Sequence, residues 1–371
     1  MATHEQSTSD SRWFDPRMFD WIDRSLLTLI GASFALTVAA GLVQISLGAY
    51  GMSVLEAWRL VFAPAILFNP KTWEAFLLGG AVPELSQEAF IVWTIRIPRV
   101  LVAFLVGMNL AVSGGIFQAV TRNELASPYI LGVSSGAGLA IMITLIFFTG
   151  LTPLIPLFAS IGGIVAFIIV YVISWKNGTS PVRLVLAGVI VGTVAGSFQQ
   201  GMFFMIEDID VALSAMAWMT GSLTGIDWEQ VRMILPWTVV SMGLALVASR
   251  QLNVLLLGED TAESLGMPVE TMRFALSVIA VVAAAASVAA AGLIGFVGLI
   301  VPHMVRNIVG SDYKRLTLGC LFVGPALIVV ADTVARLLVS PNQIPVGIIT
   351  GLIGGPYFLY LMRKKQNLGE I

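Results

Sequence analysis

Charged residues divide the chain into long apolar runs. Uncharged stretches extend over Ser25 to Leu55, Val100 to Thr121, Leu125 to Trp175, Leu184 to Ile206, Met233 to Ser249, Phe274 to Val305, Leu316 to Ala331 and Leu337 to Met362. A helix of roughly 20 apolar residues crosses a bilayer core, so each run is a candidate span, and two are too long for one. Leu125 to Trp175 covers 51 residues, and the turn signal Thr149-Gly-Leu-Thr-Pro153 divides it. Phe274 to Val305 covers 32 residues, which as one helix would reach about 48 Å against a core of about 30 Å. Gly292, Gly295 and Gly298 offer a turn there, so this run reads as two short helices in a hairpin. The pattern predicts an all-α integral membrane chain of ten spans. An even number returns both termini to one side.

Lysine and arginine set the orientation. With both termini cytoplasmic, the inside segments hold fourteen of these residues and the outside segments six: Arg59, Lys71, Arg96, Arg99, Arg232 and Arg336. The organisation is then a polar cytoplasmic tail over residues 1–24, a ten-helix domain over 25–365, and a short tail over 366–371. The first 24 residues mix five acids with three arginines, unlike the basic start of a signal peptide, so the run from Leu26 is expected to remain as a span. The longest outside loop, Ala49 to Pro98, contains Ser53 to Phe62, a candidate interfacial helix.

Composition narrows the function classes. Of 371 residues, 57% are hydrophobic and 11% charged, where soluble domains run nearer about 25% charged. A net charge of -2 with no long basic run leaves no footprint for nucleic acid. A single cysteine, Cys320, and two histidines, His4 and His303, make neither an internal disulfide nor a protein-built zinc site. No Gly-x-x-x-x-Gly-Lys-Ser/Thr phosphate loop and no carboxylate pair at catalytic spacing is present, so no catalytic residue is assigned. If transport uses ATP, another chain hydrolyses it.

A few polar features stand out inside this apolar frame. Asp332 is the main acid within a span, and with Arg336 four residues later it is placed for a local ion pair. The segment from Arg250 to Arg273 is the longest polar stretch on the cytoplasmic side. Asp260 with Glu263 suggests a capping box, Gly266 a left-handed helix end, and Pro268 the start of a second short helix. Two short helices standing off the membrane form a knob, which implies a soluble partner. Gly132 and Gly136, then Gly188, Gly192 and Gly196, then Gly351 and Gly355 are spaced for close helix contact. Asn109, Gln118, Gln199 and Gln200 either line a wet pathway or bond between helices. His303, after Pro302, reads as a hydrogen-bonded helix breaker rather than a ligand.

Several motifs together carry a family resemblance. They are Ile95-Arg-Ile-Pro-Arg-Val100, Thr121-Arg-Asn-Glu-Leu-Ala-Ser-Pro128 leading into Leu131-Gly-Val-Ser-Ser-Gly-Ala137, Leu186-Ala-Gly188, and Leu257-Gly-Glu through Leu265-Gly266. Gly295-Phe-Val-Gly-Leu-Ile-Val-Pro-His303, Ala331-Asp-Thr-Val-Ala-Arg336 and Ile344-Pro-Val-Gly347 follow. From Arg96 to the C-terminus the chain resembles, in order, the permease subunits of type II ABC importers for ferric siderophores, haem and cobalamin, the FecCD/BtuC-like family.

That resemblance implies a BtuC-like, homodimeric permease in the plasma (inner) membrane, with one central pathway, two cytoplasmic ATPase subunits that carry the ATP, and an extracytoplasmic substrate-binding protein. No cofactor or metal is expected on this chain. Arg96, Arg99 and Arg336 would receive acidic residues of the binding protein. Gly258, Glu259, Asp260, Ala262, Glu263, Leu265 and Gly266 would form the coupling helix seated in the ATPase. Asn123, Glu124 and Leu125 with Ser180 and Pro181 would form the cytoplasmic gate. The fifth span, with Gly188, Gly192, Gly196, Gln199 and Gln200, would line the pathway. The chain departs from the usual Asn-Pro-Leu-Ala-Asp/Glu-Pro gate, where Glu124 replaces the first proline and Ser127 the acid. The usual Gly-x-Asp-His-Arg becomes Gly310-Ser-Asp-Tyr-Lys-Arg315. Ferric siderophore ranks first as substrate on family frequency, then cobalamin and haem. An ion-coupled secondary transporter, which shares glycine-broken helices, is the competing class.

Overall fold

The computed structural model describes residues 21–48, 50–176, 178–340 and 342–367; the N-terminal tail up to residue 20, with His4, and the last four residues lie outside it. All regular structure among the described residues is helical. In chain order the helices are α1 (Arg24–Ser46), α2 (Val54–Val61), α3 (Pro64–Leu67), α4 (Pro70–Leu78) and α5 (Gln87–Phe90), which runs through a π turn at Ile91–Arg96 into α6 (Ile97–Val120). Then come α7 (Val133–Phe147), a 3-10 turn at Thr149–Leu154, α8 (Ile155–Ser174), α9 (Pro181–Phe203), α10 (Ile209–Thr220), α11 (Trp228–Val247), α12 (Ser249–Leu256) and α13 (Glu259–Ser264). The chain ends with α14 (Val269–Ala291), α15 (Val297–Val309), α16 (Tyr313–Leu338) and α17 (Val346–Asn367).

A helix sits on each of the ten predicted segments. Seven stretches, containing α1, α6, α8, α9, α11, α14 and α16, are long and apolar enough to cross a membrane, while α7, α10, α15 and the apolar part of α17 are shorter. The break at Thr149–Pro153 falls where the turn signal placed it. The interfacial helix is α2, whose N-terminus is capped by the Ser53 hydroxyl accepting from the Glu56 amide at 3.2 Å. Its exposed Val54, Leu55 and Trp58 form an apolar face suited to a membrane interface.

The run from Phe274 to Val305 does divide into two helices at the glycines, but the first is not short. The alanine-rich run to Ala291 keeps α14 helical for 23 residues, because alanine has the highest helix propensity. The chain then breaks at Gly292 (φ 71°) and at Phe296 (φ 67°), so α15 starts inside the bundle, with Gly298 against Gly114 of α6.

At its start α1 is tied to α16. The Asp23 carboxylate caps α1 and meets Arg315 at 3.0 Å, and the Lys314 ammonium lies 4.1 Å from the Trp21 ring centre. The Leu26 amide, donating to Asp23, holds that carboxyl below the usual carboxylate range. We call this the near end, and the opposite face, where α1 finishes, the far end.

The core is built around α6. Of the apolar stretch that contains it 78% is buried, and it packs most extensively against α16, then against α14, α15 and α11. Backbones touch at the α6–α16 seam, where a Cβ on Gly107 would collide with the Gly324 carbonyl and one on Gly324 with that of Gly107. In a bilayer, where lipid is as apolar as leucine, such close approach is what favours helix association. Polar side chains add bonds between helices: Asn109 donates to Thr238 at 2.8 Å and Ser113 to the Ala280 carbonyl at 2.6 Å.

Gly324→Val should therefore lower the stability of the detergent-solubilised protein by about 1–3 kcal/mol through overpacking. Gly196→Val, where the space is open, should stay within about 0.5 kcal/mol of wild type. Thermal unfolding midpoints measured side by side check both.

Candidate functional site

The predicted site residues gather at the two ends. At the far end the last turn of α1 exposes the carbonyls that a helix cannot satisfy internally. Arg96, 1% exposed, donates from Nη1 to the Ile45 carbonyl and, at 3.3 Å, to that of Ser46, and from Nη2 to the Tyr50 carbonyl at 2.9 Å. Half-buried Arg336 donates from Nη1 to the Gln44 carbonyl at 2.9 Å. Guanidinium groups over a helix C-terminus sit at the favourable end of its dipole.

Asp332 does not pair with Arg336 as its sequence position suggested. Its carboxylate takes a two-pronged contact from Arg99, Nε to Oδ2 and Nη2 to Oδ1, each at 2.8 Å, and Gln44 donates to the same Oδ2. Arg99 Nη1 goes on to Gln343 Oε1 at 2.6 Å. A planar fork matches a carboxylate better than a side chain one turn along the same helix can. Arg96 and Arg99 are thus engaged within this chain, and Arg59 on α2 is exposed.

At the near end α13 projects with Leu265, 64% exposed, beyond it. Asp260, Glu263 and Gly266 are exposed too, while Ala262 is buried and seats the helix on the body. The predicted capping box is absent. The N-cap is Gly258 (φ 103°), with no side-chain cap, because Glu259 turns instead to Arg273 Nη2 at 2.7 Å. Gly266 is left-handed (φ 80°) as expected. Pro268 does not open a second short helix; it caps the long α14. The other short helix of the knob is α12, and a cleft of about 320 Å³ lies between it and Leu265–Met272.

Arg273 does more than hold Glu259. Fully buried, it also meets Glu270 at 2.8 Å and donates to the Thr179 carbonyl at 2.7 Å. Glu270 in turn accepts from the Thr179 amide at 3.0 Å and its hydroxyl at 2.7 Å. Thr179 directly precedes Ser180 and Pro181, which open α9. One guanidinium therefore joins α13, α14 and the head of α9.

The loop after α6 is ordered by its own bonds. Asn123 Oδ1 accepts from the Leu125 amide at 2.9 Å, and Arg122 is left-handed (φ 48°). Glu124, in the place of the family proline, faces α15, with His303 Nδ1 at 3.7 Å and Arg306 Nη1 at 3.5 Å. Arg306 also donates to Gln118 Oε1 at 3.0 Å. The expected bonding role of His303 becomes a contact with this loop. On α9, Gly188 abuts the Ile130 carbonyl and Gln199 donates to the Ser135 carbonyl at 2.6 Å, so these two face α7. Gly192 and Gly196 are half-buried, and Gln200 lies on the exposed face with Thr193 and Ser197.

Comparison with known proteins places this arrangement. The FecCD transport family model matches residues 36–364. The chain belongs to the FecCD transport family. It is 37% identical over 326 residues to the Fe(3+)-citrate import system permease protein YfmD of Bacillus subtilis (strain 168), covering 88% of this chain and 91% of that protein. It is 42% identical over 305 residues to the cobalamin import system permease protein BtuC of Halobacterium salinarum (strain ATCC 700922 / JCM 11081 / NRC-1), covering 79% and 80%. A solved structure described as an inward-facing, metal-chelate type ABC transporter superposes with a TM-score of 0.76 at 26% identity, covering 91% of this chain and 99% of that one.

As a FecCD-family member the chain is a multi-pass membrane transport protein. Sequence reading missed three of its polar residues, Arg273, Glu270 and Thr179, because the bonds that join the Glu270–Arg273 pair to Thr179 span more than ninety residues; the signals were an arginine at the mouth of an apolar run and an acid three residues before it. Among the described residues no cluster of three or more His, Cys, Asp or Glu is placed to hold a metal ion.

Asp332→Ala strands the Arg99 charge in the core and should cost about 3–5 kcal/mol, whereas Arg99→Met combined with Asp332→Leu should recover most of that loss. Detergent unfolding of the three proteins decides it. Equal losses in the single and double variants would show that the pair is not coupled.

Proposed function

We propose that the chain is the permease subunit of an ATP-driven importer for a metal chelate, a ferric siderophore or ferric citrate first, with cobalamin and haem next. The observation that carries this reading is the FecCD match, which spans the helical bundle, the loop after α6 and the α12–α13 knob together. Import of Fe(3+)-citrate and of cobalamin by the relatives supports the substrate class.

In this reading ten segments cross the plasma membrane, with α7, α15 and α17 completing the seven long ones. The near end is cytoplasmic, because it carries most of the lysine and arginine. Two copies enclose the pathway between them. The support is α9, of whose apolar stretch only 22% is buried, leaving a face of Val189, Thr193, Ser197 and Gln200 for the second copy and the pathway. Such a face is too polar to be left wholly to lipid.

Each permease seats α13 in a cytoplasmic ATPase subunit. Exposed Leu265 beside the cleft at Arg250–Met272 is the hydrophobic contact, and Asp260 and Glu263 form its charged rim. The chain itself catalyses nothing. A binding protein docks on the far end, where acidic groups meet the positive field of the arginine cluster. Since Arg96 and Arg99 are engaged internally, Arg336 and exposed Arg59 are the residues within direct reach. The gate lies at Asn123–Leu125 and Ser180–Pro181.

Mild-detergent purification from the native membrane tests this reading. An ATPase subunit should accompany the permease one for one, and Leu265→Asp should reduce its recovery by on the order of tenfold, since truncating a buried anchor at an interface centre typically costs 2 kcal/mol or more. A permease that purifies without an ATPase, and is unaffected by Leu265→Asp, would contradict it.

A further inference from the structure

We propose that Arg273 is the transmission link between the coupling helix α13 and the gate helix α9, a positioning residue that makes them move as one body. The inference rests on the reading of α13 as the ATPase contact and deepens it, by naming how a push on the knob reaches the pathway.

Without a link, a push on the knob would be lost in the turns around it. The turns on either side of α13 are glycines in left-handed conformations, Gly258 at φ 103° and Gly266 at φ 80°, and the turn before α9 contains Gly178 at φ 112°. Glycine turns are soft, because no Cβ restricts them. A six-residue helix hung between two of them would swivel when its partner moved, and α9 would stay where it was.

Arg273 removes that freedom. Its Nη2 holds Glu259, the first residue of α13, and its Nη1 holds Glu270 of α14 and the Thr179 carbonyl, all at 2.7–2.8 Å. Glu270 returns two bonds to the Thr179 amide and hydroxyl, so Thr179 is gripped from both sides. The guanidinium is 1% exposed; charged hydrogen bonds strengthen in such a poorly solvated place, and the planar fork fixes their directions. Thr179 stands two residues before Pro181, where α9 begins. The loop after α6 also comes close to α13, with the Arg122 guanidinium lying 3.8 Å from where a side chain on Gly258 would begin.

The far partner of this link is also the element best able to respond. Of the seven long apolar stretches, that of α9 is the least buried, 22% against 72–78% for those containing α6, α14 and α16. Within one copy it packs on α7 and α8 rather than on the α6–α14–α16 core. The three buried helices form the frame against which it moves.

The test uses the permease purified with its ATPase subunits and reconstituted in liposomes. A cysteine replacing Val182, 67% exposed at the head of α9, reports its movement through its rate of reaction with a methanethiosulfonate reagent; the native Cys320 is fully buried. In the otherwise unaltered complex, ATP with vanadate should change that rate by on the order of tenfold, the size of an ordinary coupling between sites. Arg273→Gln, Arg273→Lys and Glu270→Gln, the last removing the carboxylate that both Arg273 and Thr179 donate to, should each reduce the change to about twofold or less while ATP hydrolysis and complex assembly persist. A merely structural arginine would lose assembly, hydrolysis and the labelling change together.

A labelling change of full size in Arg273→Lys and Glu270→Gln would overturn the proposal, and so would loss of assembly in all three variants. If Arg273→Gln alone fails to assemble, the two milder variants decide. Absence of any ATP-dependent change in the unaltered complex would instead overturn the reading of α13 as the ATPase contact.

Discussion

The ion pair of Arg99 with Asp332 closes the seam on which the bundle is built. It joins the first turn of α6 to the last turns of α16, and Gln44 brings α1 to the same carboxylate. Below it the two helices meet backbone to backbone at Gly107 and Gly324. Both features need the same register. A buried guanidinium without its carboxylate is costly, and the glycine contact forms only when the helices run at one separation. The far end is accordingly fixed, with Arg96 and Arg336 spent on the orphan carbonyls of α1.

The near end is held differently. There the polar network reaches across elements separated by left-handed glycines, and it ends on α9, which packs on α7 and α8 rather than on the central helices. One end of the bundle is a clamp and the other a jointed linkage. That asymmetry suits the proposed reading, in which the far face receives a delivered substrate and the near face takes up the movement of an ATPase. Glu124 extends the theme. Where the family carries a proline that stiffens the loop by its ring, this chain has an acid facing His303 and Arg306 of α15, so stiffness from backbone geometry gives way to tethering by charge.

Much of the fold was legible because local signals control it. The turn at Thr149–Pro153, the Ser53 cap of α2 and the left-handed end at Gly266 depend on neighbours in sequence, and the apolar runs locate the helices. What failed were inferences that extended local rules to charged residues in a core. Asp332 and Arg336 are one helical turn apart, yet the carboxylate goes to Arg99, 233 positions away. Asp260 and Glu263 have capping-box spacing, yet the helix starts two residues earlier, with Gly258 as its cap and Glu259 bonded to Arg273. Glycine spacing was an uneven guide. Gly136 and Gly188 do make the close contacts their spacing suggests, Gly351 and Gly355 meet open space, and Gly107 and Gly324, which the spacing did not single out, bring two backbones together. A motif states which contacts a helix is able to make; the partner's position decides which are made. The candidate site was legible mainly through the family resemblance, and its wiring through Arg273, Glu270 and Thr179 was not legible at all.

The central claim is that ATP hydrolysed by a partner, rather than an ion gradient, moves substrate through this chain. Uptake of ferric citrate and of cyanocobalamin into proteoliposomes containing the permease, its ATPase and the binding protein measures it directly, with ATP inside or outside and with or without an ionophore. The account predicts accumulation of one of these chelates that requires ATP on the side of α13 and is indifferent to the ionophore. Uptake that proceeds without ATP and collapses with the ionophore would contradict it.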